Sequence, residues 1–65
     1  MKIESKDQVK WGVTYRLSDG RLCEAEADHP SPEKVVVNVE PDGEELTVYT
    51  GPCDDGSLAI VETES

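Results

Sequence analysis

The sequence predicts an all-β fold: a small five-stranded antiparallel meander, wound into a strongly twisted sheet or a half-open barrel. Three observations carry this reading. Asp-Gly dipeptides recur at 19–20, 42–43 and 55–56, and Asp-Gly supplies the positive backbone angles that tight hairpin turns require. The stretches between them are rich in Val, Thr and Tyr and alternate apolar with polar residues, the period of a half-buried strand. No segment shows a helical period.

Residues 1–8 carry charge throughout and admit either a short strand through Ile3 or a single turn. From Val9 the alternation is clear: Val9, Trp11, Val13, Tyr15 and Leu17 share one face, and Lys10, Gly12, Thr14 and Arg16 the other. Ser18-Asp19-Gly20 ends this strand, and Arg21–Asp28 returns with Cys23, Ala25 and Ala27 opposite Leu22, Glu24 and Glu26. A two-residue Asp19-Gly20 loop would set Tyr15 against Glu24 and Val13 against Glu26, acids on the apolar face. A three-residue loop with Gly20 in the left-handed position of a bulge instead pairs Tyr15 with Cys23, Val13 with Ala25 and Trp11 with Ala27, and is preferred. It also sets Lys10 across from Asp28, a cross-strand attraction of about 0.2–1 kcal/mol. Small residues opposite the rings leave them space, so Trp11 is expected at the centre of the core, burying on the order of 150–250 Å².

His29-Pro30-Ser31-Pro32-Glu33 reads as a loop, because proline lacks a ladder donor and holds its predecessor extended. Lys34–Glu40 follows as a strand, with Val36 breaking clean alternation and so covered in part on both faces. Glu40-Pro41-Asp42-Gly43 suits a type I turn, and Glu44–Thr50 returns with Leu46 and Val48 on one side and Thr47 and Tyr49 on the other. Two registers are open here. A three-residue loop pairs Val36 with Val48; a four-residue loop pairs Val37 with Val48 and Val39 with Leu46, and burial favours the second. Gly51–Gly56 is a further loop, Ser57–Thr63 the last strand, and residues 62–65, like 1–8, are expected to fray.

Sixty-five residues make a single domain, 1–65, with an apolar content of 35% and no Phe. A chain of this size buries only roughly 60% of its unfolded surface, so its core is small. Core candidates are Trp11, Val13, Tyr15, Leu17, Val35, Val37, Val39, Leu46, Val48, Tyr49, Leu58, Ile60 and Val61. The strand count and meander order resemble the SH3-like small barrels in architecture, a resemblance that carries no functional residues with it.

Charge is the second informative property. The net charge is −9, and it is divided unevenly: residues 1–21 hold five bases against three acids, whereas residues 22–65 hold Lys34 alone against twelve acids. Such a surface repels nucleic-acid phosphate, so no direct nucleic-acid binding is expected. No apolar run approaches the roughly 18 residues of a membrane span or the 7–15 of a secretory core, which leads to the expectation of a cytoplasmic protein with no membrane contact.

The residues of catalysis and metal binding are sparse. Cys23 and Cys53 are the only thiols; a bridge would close a loop of roughly 30 residues and add about 3–4 kcal/mol, but the cytoplasmic setting and the apolar face of Cys23 favour two unpaired thiols. Cys23, His29, Cys53 and Asp54 or Asp55 match no zinc spacing, and Asp54-Asp55-Gly56 reads as a turn and not as a calcium loop. His29 is the lone histidine, with no pattern of orienting group or oxyanion site beside it. No cofactor and no enzymatic activity are expected. The functional expectation is a small acidic protein-interaction module, monomeric or weakly homodimeric, that binds another protein through Glu24, Glu26, Asp28, Glu40, Asp42, Glu44, Glu45 and Tyr49. Two alternatives stand beside it. One is a nucleic-acid-mimicking inhibitor presenting carboxylates, Asp54 and Asp55 among them, to a DNA- or RNA-binding protein; the other is a structural subunit or edge-to-edge dimer.

Overall fold

A computed structural model describes residues 1–64 of the chain; Ser65, the last residue of the tail expected to fray, lies outside the described residues. Five strands form, β1 Thr14–Leu17, β2 Leu22–Asp28, β3 Lys34–Val39, β4 Glu44–Thr50 and β5 Ala59–Thr63, with a 3₁₀ turn at Lys6–Gln8 before them. They close in chain order into one small barrel, consistent with the SH3-like architecture. The barrel is fully closed, and one joint is not antiparallel: β4 and β5 run parallel through Tyr49↔Ala59 and Thr50↔Ile60. An odd ring imposes this. Strands that alternate up and down cannot alternate all the way round five members, so one neighbouring pair must run the same way. Here β5 lies antiparallel to β1, and the Gly51–Leu58 connection carries the chain back to reach that orientation.

The first hairpin follows the sequence reading. Tyr15 faces Cys23 and Arg16 faces Leu22. Gly20 takes a φ of 95°, with its N–H donating to the Leu17 carbonyl at 2.9 Å and the Leu17 N–H donating to the Arg21 carbonyl at 2.8 Å.

Upstream the strand does not continue to Val9. Gly12 turns the chain at a φ of 79°, and its N–H, not that of Val13, reaches the Ala25 carbonyl at 3.0 Å. Ala25 in turn donates to the Val13 carbonyl at 3.3 Å, so two residues face one, as in a bulge. Alternation is broken there. Trp11 stands 53% exposed and not at the core centre, while Val9 turns back into the core. A second irregularity between Ala25 and Ala27 leaves Glu26 as the extra residue, with Ala25 facing Val37 and Ala27 facing Val36. Ala27 is therefore exposed, and the expected Trp11–Ala27 pair does not form.

Tyr15 takes the central place. It is the largest of the fully buried side chains, followed by Ile3, Leu17 and Ile60. Its hydroxyl accepts the Lys10 N–H at 2.6 Å, which provides the partner that a buried phenol needs. Val35, Val37, Val39 and Val48 complete the packing with Cys23 and Ala25, and Val13, Leu46 and Leu58 pack against this core from partly buried positions.

The β3–β4 register departs from both sequence alternatives: Val35 faces Val48, Val37 faces Leu46 and Val39 faces Glu44. The difference from the favoured pairing is two residues, which keeps every side chain on the same face, so burial could not separate the two. The turn is also wider than type I, since the Gly43 N–H donates to the Val39 carbonyl at 2.7 Å; the Glu40–Pro41 peptide is cis.

The two ends, read as frayed, are paired with each other. Lys2 bridges to Glu62, the Ile3 N–H donates to the Val61 carbonyl at 3.0 Å and the Thr63 N–H to the Met1 carbonyl at 2.8 Å. Gln8 Oε1 accepts the N–H groups of Glu4 and Ser5 at 2.6 and 3.0 Å, holding the 3₁₀ turn. Between these features the chain crosses Gly51 so closely that a Cβ there would lie 2.9 Å from the Glu4 carbonyl oxygen, at a φ of +109°.

Two predictions follow from this packing. Gly51→Ala destabilises by more than the about 1–2 kcal/mol that a positive φ alone costs an L-residue, whereas Gly56→Ala, at φ +81° with open space around it, costs about that amount; urea denaturation of both measures the difference. Trp11→Ala changes stability by no more than about 0.5 kcal/mol, as for other exposed positions, while Tyr15→Phe, which leaves the Lys10 N–H without its acceptor, costs about 0.5–1.5 kcal/mol in the same assay.

Candidate functional site

The outer face of β2, β3 and β4 is set by strand parity. With Val35, Val37 and Val39 turned inward, Lys34, Val36 and Asn38 point out, and pairing carries Glu24 to one side of Asn38 and Glu45 to the other. Thr14 extends the same row onto β1. Two positions along β3, Val36 and Thr47 form a neutral row, and beyond it the Lys34 ammonium lies 4.9 Å from the centre of the Tyr49 ring, a cation–π contact. The face therefore grades from acidic, through a half-buried valine, to a capped cation.

The residues expected to bind a partner occupy four places. Glu24 and Glu45 share the transverse row. Glu40, Asp42 and Glu44 sit around the β3–β4 turn at the acidic end, with the Arg21 guanidinium 4.0 Å from Glu44. Glu26 is the extra residue of the β2 bulge. Asp28 and Tyr49 belong to the opposite end. Asp28 is ion-paired with Lys6 and not with Lys10, since the turn at Gly12 takes Lys10 off the strand. Asp54 and Asp55, added for nucleic-acid mimicry, lie apart in the Gly51–Leu58 connection, where the Gly56 N–H donates to the Cys53 carbonyl at 3.2 Å.

Several charges have local partners. Lys6 Nζ donates to the carbonyls of His29 and Ser31, each at 2.8 Å, tying the N-terminal segment to the β2–β3 loop. That ammonium, with the His29 N–H, holds the Asp28 carboxyl below its usual range. The Arg21 backbone and guanidinium do the same for Asp19, and Ser57 for Asp55. His29 is half-buried, its Nδ1 accepting the Ser31 N–H at 3.0 Å. It acts there as a loop brace. Among the described residues no three His, Cys, Asp or Glu side chains gather around a common point.

Two concavities flank the Pro52-Cys53 segment, and sequence reasoning missed both. The larger, about 410 Å³, lies between the N-terminal segment and the end of β4 and is lined by Tyr49, Pro32, Pro52 and Cys53 with Lys6 and Glu33 at its rim. The smaller, about 310 Å³, is lined by Leu58, Val61 and Ser18 on the other side of the same segment. A Pro-Cys step set between Gly51 and a two-aspartate turn was the one signal in the sequence, and it gives no indication of which elements come alongside. Both cysteines are free thiols. Burial, with Glu40 adding to it, pushes the Cys23 thiol up to about 11; Cys53 is also raised, by desolvation and then by Asp55 and Glu33.

Compared with known protein families, curated proteins and solved structures, the chain gives no match. Among the described residues no helix is long and apolar enough to cross a membrane.

The thiols differ in access, so alkylation separates them. Iodoacetamide at mild alkaline pH modifies the native protein at Cys53 alone and reaches Cys23 only after unfolding in urea; peptide mass spectrometry reads both sites. Modification of Cys23 at an equal rate in the folded protein contradicts its burial in the core.

Proposed function

We propose that this protein is a small, monomeric, non-enzymatic interaction module that docks a basic surface of another protein against the outer face of β2–β4. The row Glu24–Asn38–Glu45 carries the reading. Regular pairing brings two exposed carboxylates, far apart in the chain, to either side of one amide, and the acids of the β3–β4 turn adjoin them. Strand neighbours lie about 4.7–4.9 Å apart, so Glu24 and Glu45, two strands apart, present charge at a spacing of about 10 Å on a stiff support. Charge of one sign on a rigid face gives orientation and a fast encounter more than raw affinity. Val36 and Thr47 beside the row supply the less polar ground that a packed contact needs. The two free thiols fit a cytoplasmic setting, where cysteines stay reduced.

Retention from a native lysate tests this, with the wild type and a Glu24→Lys/Glu45→Lys variant immobilised side by side. The expected outcome is a specific protein retained by the wild type, weakened as salt rises and lost with the double variant, whose folding is checked by circular dichroism. Equal retention by both, or specific retention by neither at any salt, contradicts the proposal.

A further inference from the structure

The barrel is closed, yet one stretch of backbone in it is open. β4 pairs with β3 from Glu44 to Tyr49, but with β5 only at Tyr49 and Thr50. Hydrogen-bond direction identifies the unused groups. The N–H groups of Tyr49 and Gly51 point to the β5 side, donating to the carbonyls of Leu58 and Ile60 at 3.1 and 2.9 Å. The Thr50 N–H points to the other side, donating to the Glu33 carbonyl at 2.9 Å. Backbone direction alternates along a strand, so Glu45 and Thr47 present their N–H and C=O groups on the side that faces away from β3. No described residue hydrogen bonds to Glu44–Val48 from that side. Glu44, Glu45 and Thr47 are exposed, and Leu46, packed against the core, is half-buried.

We infer that this edge of β4 receives a strand from another protein: an extended segment that alternates basic and apolar residues. The inference rests on the interaction-module reading and specifies how its partner is held. Strand addition satisfies the open backbone groups of Glu45 and Thr47, and side-chain parity then fixes the chemistry of the incoming segment. Its outward residues come to lie beside Glu45 and Thr47, where the Glu45 carboxylate selects Lys or Arg. Its inward residues lie beside Leu46 and Val48, where an aliphatic side chain extends the core over the exposed part of Leu46. A second copy of this chain is the wrong occupant. It would bring another surface of net charge −9 to the joint, with Glu44 and Glu45 on both sides of it, and like charges across strands repel.

The probe is a ten-residue peptide alternating lysine and valine, added to the isotopically labelled full chain. Amide exchange at Glu45 and Thr47 slows at least tenfold on binding, while the amides of Tyr49 and Gly51, already bonded, change little. Thr47→Pro removes an outward donor, a place where an edge strand tolerates proline, and weakens binding at least tenfold; Glu44→Lys/Glu45→Lys does so through charge. Failure of the peptide to bind, or binding that leaves the Glu45 and Thr47 amides unprotected, overturns the inference. So does a concentration-dependent dimer in sedimentation that Thr47→Pro dissolves, which would make the occupant a second copy. A lysate protein retained equally by the wild type and Thr47→Pro overturns strand addition alone and leaves the interaction module standing; the absence of any retained protein removes the module itself.

Discussion

Closing a ring of five strands is the constraint on which the rest of this molecule depends. One joint must be parallel, and a parallel joint cannot be made by a tight turn. The chain spends Gly51–Leu58 on the return and gains only two residue pairs between β4 and β5. What completes the seam is the N-terminal segment. Ile3 is fully buried, its backbone adds a partner to β5, and the segment passes Gly51 at a distance that only a residue without Cβ allows. Lys6 then fastens the same segment to the β2–β3 loop through two carbonyls. In so short a chain, where little apolar area is available, residues 1–8 act as a structural member of the barrel.

The same constraint leaves β4 open below Tyr49. Because β5 approaches from the far end of β4 and joins it for two residues, Glu44–Val48 has no neighbour on that side. An unpaired edge is a hazard unless it carries charge or is covered. Glu44 and Glu45 supply the charge, which guards the edge against copies of itself; under the proposed strand addition it would also select the incoming segment. Fold and open edge are therefore consequences of one topological fact, and the edge would disappear in a barrel with a longer β4–β5 joint.

What the sequence made legible was local. The Asp19-Gly20 turn fixed its own register because the competing loop length placed acids on an apolar face, a contradiction visible within fifteen residues. Trp11 was misplaced because alternation from Val9 to Leu17 is unbroken on paper, and only the bonding of both Gly12 and Val13 to Ala25 shows the break. The β3–β4 register was illegible for another reason: pairings two residues apart bury the same faces. Ile3, read only as the centre of a possible short strand, was not counted in the core, because it is a single apolar residue in a charged stretch whose partner strand lies nearly sixty residues away. The acids were legible one by one. That Glu24 and Glu45 stand in one row while Asp28 answers to Lys6 depends on which strands become neighbours, and the open edge of β4 depends on where β5 stops.

The pairing of charges sets that row apart from the acids that have a cationic partner. Of six bases, Lys6 is held by Asp28, Arg16 by Glu64 at 2.8 Å, and Arg21 by Asp19 at 2.6 Å with Glu44 at 4.0 Å. Lys34 lies over Tyr49. These cations are thus engaged at the ends of the barrel and along the β1 side, where they offset the acids nearest to them. Glu24 and Glu45 form no ion pair among the described residues, and their immediate neighbours in the row are Thr14 and Asn38, both neutral. Exposed pairs contribute little to stability, but they redistribute the field. Glu24 and Glu45 thus keep their charge unpaired on the β2–β4 face, beside a stretch of β4 that still has backbone hydrogen bonds to give.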